Sequence, residues 1–338
     1  DAWYTGLYLR SDEGYDGEFN YYIAVDPLNK KGIYQCTGGG PYRYQRILFP
    51  MTAAVLSMGE MTRVPAILVM INLCAVLLGA YFLTRSSQHF LGHGWAGLFA
   101  IFAVGTLIAL TRTTTELVYS SLMIAGFYYY LAKNNFPAAA LWFSASVLAK
   151  ELALPAIAAA ALYEIAARKS WRNACLFLIP VGVYGLWQLN VRANFGMFSF
   201  QAGVEQGGFN SFKSLSGFFQ RIGQTYGAVD HISVRQLFEP LLLTAILSAS
   251  ALAVYCMPFR LKDFISPFQI MAPVYAAAVL AAGFYPTSHI DYWGYGRHSI
   301  ELFICMIFLY FQMRKKMLLV PLALNSLLCL CLCYLLIG

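Results

Sequence analysis

The chain has 338 residues, 59% of them hydrophobic and only 12% charged. Soluble globular domains carry roughly 25% charged residues, so a water-soluble fold of two or three domains is excluded, and an all-α polytopic membrane protein is expected. The net charge of +7 is read as membrane topology rather than nucleic-acid binding, because the cations lie at the ends of apolar blocks.

The first 63 residues are polar and rich in tyrosine, with no signal-peptide pattern. They read as a first external loop, and a transmembrane helix is expected ahead of Asp1. The densest polar cluster is Ser11-Asp12-Glu13-Gly14-Tyr15-Asp16-Gly17-Glu18-Phe19, with four carboxylates within seven residues. Gly14 and Gly17 bracket Asp16, which suits a tight turn or the close approach of a ligand. A carboxylate such as Asp16, partly buried near a membrane surface, acts as a general base once its pKa is raised. The alternative is a solvated acidic loop. Phe19–Val25 reads as a packed aromatic helix. Residues 45–58 form a short helix along the interface, with Arg43 and Arg46 at its start on one helical face. Guanidinium groups suit phosphate oxygens, and Arg and Tyr are equally ordinary membrane anchors.

The remaining residues, 64–338, read as a bundle of ten spans, at 64–84, 93–110, 116–132, 136–149, 152–167, 173–192, 236–256, 264–284, 297–313 and 317–337. With the N-terminal segment outside, the short inner loops hold Arg85, Lys133, Arg168, Lys169, Arg172, Arg260, Lys262, Arg314, Lys315 and Lys316. The short outer turns hold only Arg112, Lys150 and Arg297. That asymmetry fixes the expected orientation. The outer face also receives the loops 193–235 and 285–296, and 211–222 reads as an amphipathic surface helix. Seven cysteines lie in apolar blocks and only Cys36 in a polar segment, so no disulfide framework is expected.

Ionisable residues within or beside spans are costly and therefore informative. Lys150 and Glu151 interrupt an apolar stretch, either as a mutual ion pair or as a phosphate-binding cation beside an acid that shapes a pocket. Arg112 and Glu116 are four residues apart, as are Arg297 and Glu301, so each pair is also a candidate for simple helix-surface pairing. Arg297 is alternatively a ligand for a lipid phosphate. His289, Asp291 and His298 follow no metal-site spacing. No P-loop, no dinucleotide-binding glycine motif and no Cys-x-x-Cys occurs.

Gly14-Tyr15-Asp16-Gly17-Glu18-Phe19-Asn20-Tyr21-Tyr22-Ile23-Ala24-Val25-Asp26-Pro27, followed by Tyr42-Arg43-Tyr44-Gln45-Arg46-Ile47-Leu48-Phe49-Pro50, resembles the bacterial membrane enzymes of the GT-C glycosyltransferase superfamily. Glu116 at a span start, Ala149-Lys150-Glu151 and Tyr295-Gly296-Arg297-His298 fit the same pattern. The resemblance implies an inverting enzyme of the bacterial inner membrane. It would take a sugar from a polyprenyl-phosphate carrier and pass it to a glycan, lipid or protein acceptor on the non-cytoplasmic side. A first-loop carboxylate serves such enzymes as base, which corresponds to Asp16. Glu18, which stands where relatives often carry Gln, is the second candidate that the resemblance offers for that catalytic carboxylate. Arg43, Arg46, Lys150 and Arg297 correspond to the cations that hold the carrier phosphate. Tyr15, Glu116, Glu151, Tyr295 and His298 correspond to the pocket. This chain has no second paired-acid motif of the kind found in metal-using members, so no cofactor is expected. A transporter or flippase of lipid-linked glycans is the competing expectation.

Overall fold

In the computed structural model, residues 16–34, 40–205, 234–260, 263–282 and 296–337 are described, and all regular elements among them are helical. The aromatic helix after the acidic run is α1 (Asp16–Val25). Where the sequence pattern predicts one interfacial helix, the chain forms α2 (Pro41–Tyr44) and α3 (Leu48–Leu56). The break between them arises because Gln45 is drawn inward. Its side-chain oxygen accepts hydrogen bonds from Tyr184 at 2.8 Å and Ser199 at 3.0 Å. Arg43 therefore belongs to α2 and Arg46 to the break, and the two do not share one helical face.

The long helix α4 (Val64–Leu91) opens with a proline in its first turn, where a missing N–H costs nothing, and stops at Gly92 with φ of 81°. Val69, Leu73, Leu77 and Tyr81 recur every fourth residue and are all exposed, while Leu68, Ala75, Gly79 and Leu83 face inward. An apolar ridge of that length facing outward suits hydrocarbon rather than water.

Residues 93–110, expected as one span, are instead α5 (Gly97–Ile101) and α6 (Val104–Thr111), separated by an extended Ala103. The two halves pack on different partners. A Cβ at Gly97 would strike Thr84 and the Ala80 carbonyl of α4, whereas one at Gly105 would strike Ile300 and the Gly296 carbonyl far along the chain. A straight helix cannot meet both.

α7 (Glu116–Phe127) continues into a wider π turn over Tyr128–Ala132. α8 (Phe136–Ala149) is capped by the Asn135 side chain, which accepts from the Ala138 N–H. The turn at Lys150 and Glu151 leads into α9 (Ala153–Ala166). α10 (Trp171–Leu176), α11 (Leu178–Phe195) and α12 (Ser199–Glu205) follow. The expected surface helix at 211–222 lies outside the described residues. The remaining helices are α13 (Val234–Tyr255), α14 (Phe268–Ala282), α15 (Ile300–Met313) and α16 (Leu319–Ile337).

Among the described residues four helical stretches are long and apolar enough to cross a membrane: Met61–Leu91, Trp171–Phe195, Phe238–Tyr255 and Lys316–Tyr334. The shorter apolar helices Phe136–Ala149, Ala153–Ala166 and Phe268–Leu280 fall where three further spans are expected. α8 and α9 have 14 residues each, about 21 Å at 1.5 Å per residue, against a hydrocarbon core of about 30 Å.

The core is an aromatic column joining α7, α8, α14 and α15. Phe127 lies 5.0 Å from Phe143 and 4.5 Å from Phe268 between ring centroids, and Phe268 stacks on Phe308 at 4.5 Å. Gly126 makes this possible, since a Cβ there would sit 2.7 Å from the fully buried Phe143 ring. Gly126→Ala is therefore expected to cost about 1–3 kcal/mol by overpacking. Gly182→Ala, on an open face of α11, is expected to leave the thermal midpoint unchanged or raise it. Unfolding midpoints in detergent check both.

Candidate functional site

The turn Arg112–Thr115, between α6 and α7, is where the N-terminal segment meets the bundle. A Cβ at Gly17 would lie 2.4 Å from the Arg112 carbonyl oxygen, so only glycine permits this approach. Asn20 of α1 donates to the Thr113 carbonyl at 3.1 Å, and Asn72 of α4 donates to the Thr114 carbonyl at 3.1 Å. Thr113 has φ of 52°, a left-handed conformation held by these contacts. The first turn of α1, which begins at Asp16, is thus seated on the residues leading into Glu116. The Asp16 side chain, Tyr15 and Tyr295 lie outside what is described. So do His289 and Asp291. Glu18 accepts a hydrogen bond from the Tyr22 hydroxyl at 3.0 Å, one turn further along α1.

Glu116 is the electrostatic centre. Its Oε1 accepts from Lys150 Nζ at 2.7 Å, with Arg297 Nε 3.8 Å away. Both Lys150 and Glu116 are almost wholly buried, at 1% and 2% side-chain exposure. Lys150 reaches inward because α8 stops at Ala149 and the Lys150 backbone is extended, with φ of −160° and ψ of 133°. One turn deeper, Ser120 donates to Glu301 Oε1 at 3.3 Å, and Ser146 donates to the Tyr119 carbonyl at 2.8 Å.

A second pair lies beside the first. Arg46 clasps Glu151 with both arms, at 3.0 and 2.6 Å, and also donates to the Tyr42 hydroxyl at 3.1 Å. Burial pushes the Glu151 carboxyl up, but Arg46, with Lys150 adding to it, outweighs this and holds it below the usual carboxylate range. The Arg43 guanidinium lies 3.5 Å above the Phe19 ring. Phe19, Asn20, Ile23, Arg43, Arg46 and Thr115 line a small pocket of about 10 Å³, room for about one water molecule. His298 is half-buried in the helical turn that also carries Arg297.

Neighbouring residues do not pair as simple spacing suggests. Lys150 goes to Glu116 rather than to Glu151, and Glu151 goes to Arg46 from 105 residues away. Glu116 is held from α8 and α15. Lys150, Glu116 and Arg297 nonetheless form one cluster and Arg46 and Glu151 an adjacent pair, with Arg43 lining the same small pocket as Arg46. Lys150 differs most from its expected role, since its ammonium is sealed beneath the surface. Asn20, Asn72 and Ser120 were not anticipated. Asn72 carries a signal, as a lone amide in the apolar run from Val64 to Ala80. Among the described residues no group of three or more His, Cys, Asp or Glu is arranged to hold a metal ion.

Chemically, three cations, Lys150, Arg297 and Arg46, meet Glu116 and Glu151, which suits an anionic ligand that competes with those carboxylates. Comparison with protein-family models, with curated proteins and with solved structures finds no match for this chain.

Removing one partner of a buried ion pair costs about 3–5 kcal/mol, because the other charge is left uncompensated. Glu116→Gln deprives both Lys150 and Arg297 and is expected to reach that range. Lys150→Met leaves Arg297 beside Glu116 and is expected to cost less. Thermal midpoints of the two variants test this order.

The depressed Glu151 carboxyl sets a pH dependence. Its folded value lies below the unfolded one of about 4.3, so its stabilisation is fully present above pH ~4.3 and lost as pH falls through the folded value. The gap in thermal midpoint between wild type and Glu151→Gln is expected to be constant from about pH 7 to 5 and to narrow below about 4.

Proposed function

We propose that this chain is a membrane glycosyltransferase that moves a sugar from a polyprenyl-phosphate donor to an acceptor on the non-cytoplasmic face, inverting the anomeric centre without a divalent metal. One observation carries the reading. The helix that begins at Asp16 is seated against the turn before Glu116, beside a pocket lined by Arg43 and Arg46 and next to the buried Lys150–Glu116–Arg297 cluster. A lipid-linked donor needs a carboxylate for the acceptor and cations for the phosphate at one level of the membrane. Sidedness supports this as well. α7 and α15 both start at this cluster, and α15 runs to Arg314, whose guanidinium donates to the Phe90 carbonyl at the far end of α4. The cation-rich end is thus opposite the candidate site, as the positive-inside rule requires of a cytoplasmic face.

In the reaction, the acceptor hydroxyl oxygen forms a bond to the anomeric carbon while the bond from that carbon to the phosphate oxygen breaks. The bonding pair leaves with the phosphate, and the hydroxyl proton passes to the Asp16 carboxylate. Cations stabilise the charge that grows on the departing phosphate. Arg297 is the looser of the two partners of Glu116, and Arg43 lies at the pocket. Those two are best disposed to meet the phosphate. Lys150 and Arg46 hold the carboxylates Glu116 and Glu151 and so fix the pocket wall.

The test uses the purified chain in proteoliposomes with a panel of polyprenyl-phosphate pentoses and hexoses, with bacterial membrane extract supplying acceptors. Wild type is expected to release polyprenyl phosphate. Asp16→Asn is expected to slow release by about 10²–10⁴-fold with an unchanged thermal midpoint. Unchanged turnover in that variant removes Asp16 from the mechanism. Passage of intact donor across the bilayer, with no phosphate released, decides for the transporter.

A further inference from the structure

Far from the candidate site, the outer surface carries a groove between α5 and α16. Trp95, Leu98, Phe102, Ala323, Leu327 and Leu330 line it, and its volume is about 450 Å³, within the ~300–1,000 Å³ typical of small-molecule sites. Most of these side chains are large, apolar and exposed. One wall of the groove ends at Phe102, just past the last residue of α5.

The helix beside the groove ends at Arg314, and Lys316 precedes the helix that forms one of its walls. The Trp95 indole donates to His93 Nε2 at 3.0 Å, and its ring lies 6.3 Å from Tyr310. Tyr310 is one turn before Arg314, whose backbone N–H donates to the Tyr310 carbonyl at 2.9 Å. Arg314 terminates α15 in a left-handed conformation, with φ of 57°. That conformation turns its guanidinium back onto the Phe90 carbonyl. Lys316 begins the short turn that leads directly into α16, one wall of the groove. Arg314 and Lys316 are both exposed. An occupant that satisfies both ends has a hydrocarbon chain and an anionic head.

We propose that this groove binds one anionic phospholipid, with an acyl chain along Leu98, Phe102 and Leu327 and the phosphate beside Arg314 and Lys316. Basic pockets between helices at the cytoplasmic surface are suited to such headgroups. The inference rests on the chain lying in a membrane with this end cytoplasmic, and it is independent of sugar transfer.

Native mass spectrometry of the detergent-purified full chain, given phosphatidylglycerol or phosphatidylcholine, tests it. Each near-surface cation favours an anionic lipid by about 1 kcal/mol, so two give a roughly 30-fold preference for phosphatidylglycerol. The double variant Arg314→Gln with Lys316→Gln is expected to lose that preference. Leu327→Trp, which fills the groove, is expected to lose the bound lipid of either kind while keeping the wild-type thermal midpoint in detergent. Equal retention of the two lipids by wild type overturns the proposal, as does unaltered phosphatidylglycerol binding in Leu327→Trp. A groove covered by a second copy of the chain, seen as a dimer that Leu327→Trp dissociates, overturns it too.

Discussion

Glu116 holds one carboxylate between two cations from distant parts of the chain, and the candidate end of the bundle is organised around it. Lys150 comes from the junction of α8 and α9, and Arg297 from the start of α15. Each charge is intolerable in an apolar interior by itself. Their mutual neutralisation therefore fixes how three helices meet. The same residue follows directly on the turn that receives α1 through Gly17 and Asn20. The N-terminal segment is thereby registered to the charge cluster through four residues of backbone, and the Arg46–Glu151 ion pair ties it down a second time.

Around that centre the polar groups separate by depth. Glu116 and Lys150 are sealed, Glu301 and Ser120 lie one turn below, and Arg46 and Glu151 are partly open at 16% and 22% side-chain exposure. Under the proposed function, the donor phosphate approaching Arg46 meets a cation that is already paired. It therefore exchanges one partner for another and does not have to strip a bare ion of water.

Much of this was legible in the sequence, for reasons that differ by residue. The all-helical class follows from long apolar blocks. Arg43, Arg46, Glu116, Lys150, Glu151 and Arg297 stood out because charges are scarce in such a chain, and they do converge. Pairing was not legible. Spacing of four along a helix suggested Arg112 with Glu116 and Arg297 with Glu301, yet the dominant contacts of Glu116 and Glu151 cross more than 30 residues of chain. In a low-dielectric interior a buried carboxylate takes the nearest desolvated cation in space, and sequence distance carries no weight. The break at Phe102 was also hidden. No proline marks it, and its cause is a change of packing partner from α4 to α15 that only the tertiary arrangement contains. Asn72, by contrast, was visible as an isolated amide in α4.

The π turn at Tyr128–Ala132 accommodates one more residue per turn than the α-helix before it. It aims Tyr130 at Glu164, whose carboxylate accepts from that phenol at 2.6 Å and also from Arg168 and Asn173. Losing a single residue from this stretch would not merely shorten α7. The phase of every side chain beyond the missing residue would rotate by roughly a quarter turn or more, leaving the Glu164 clasp facing an unrelated residue.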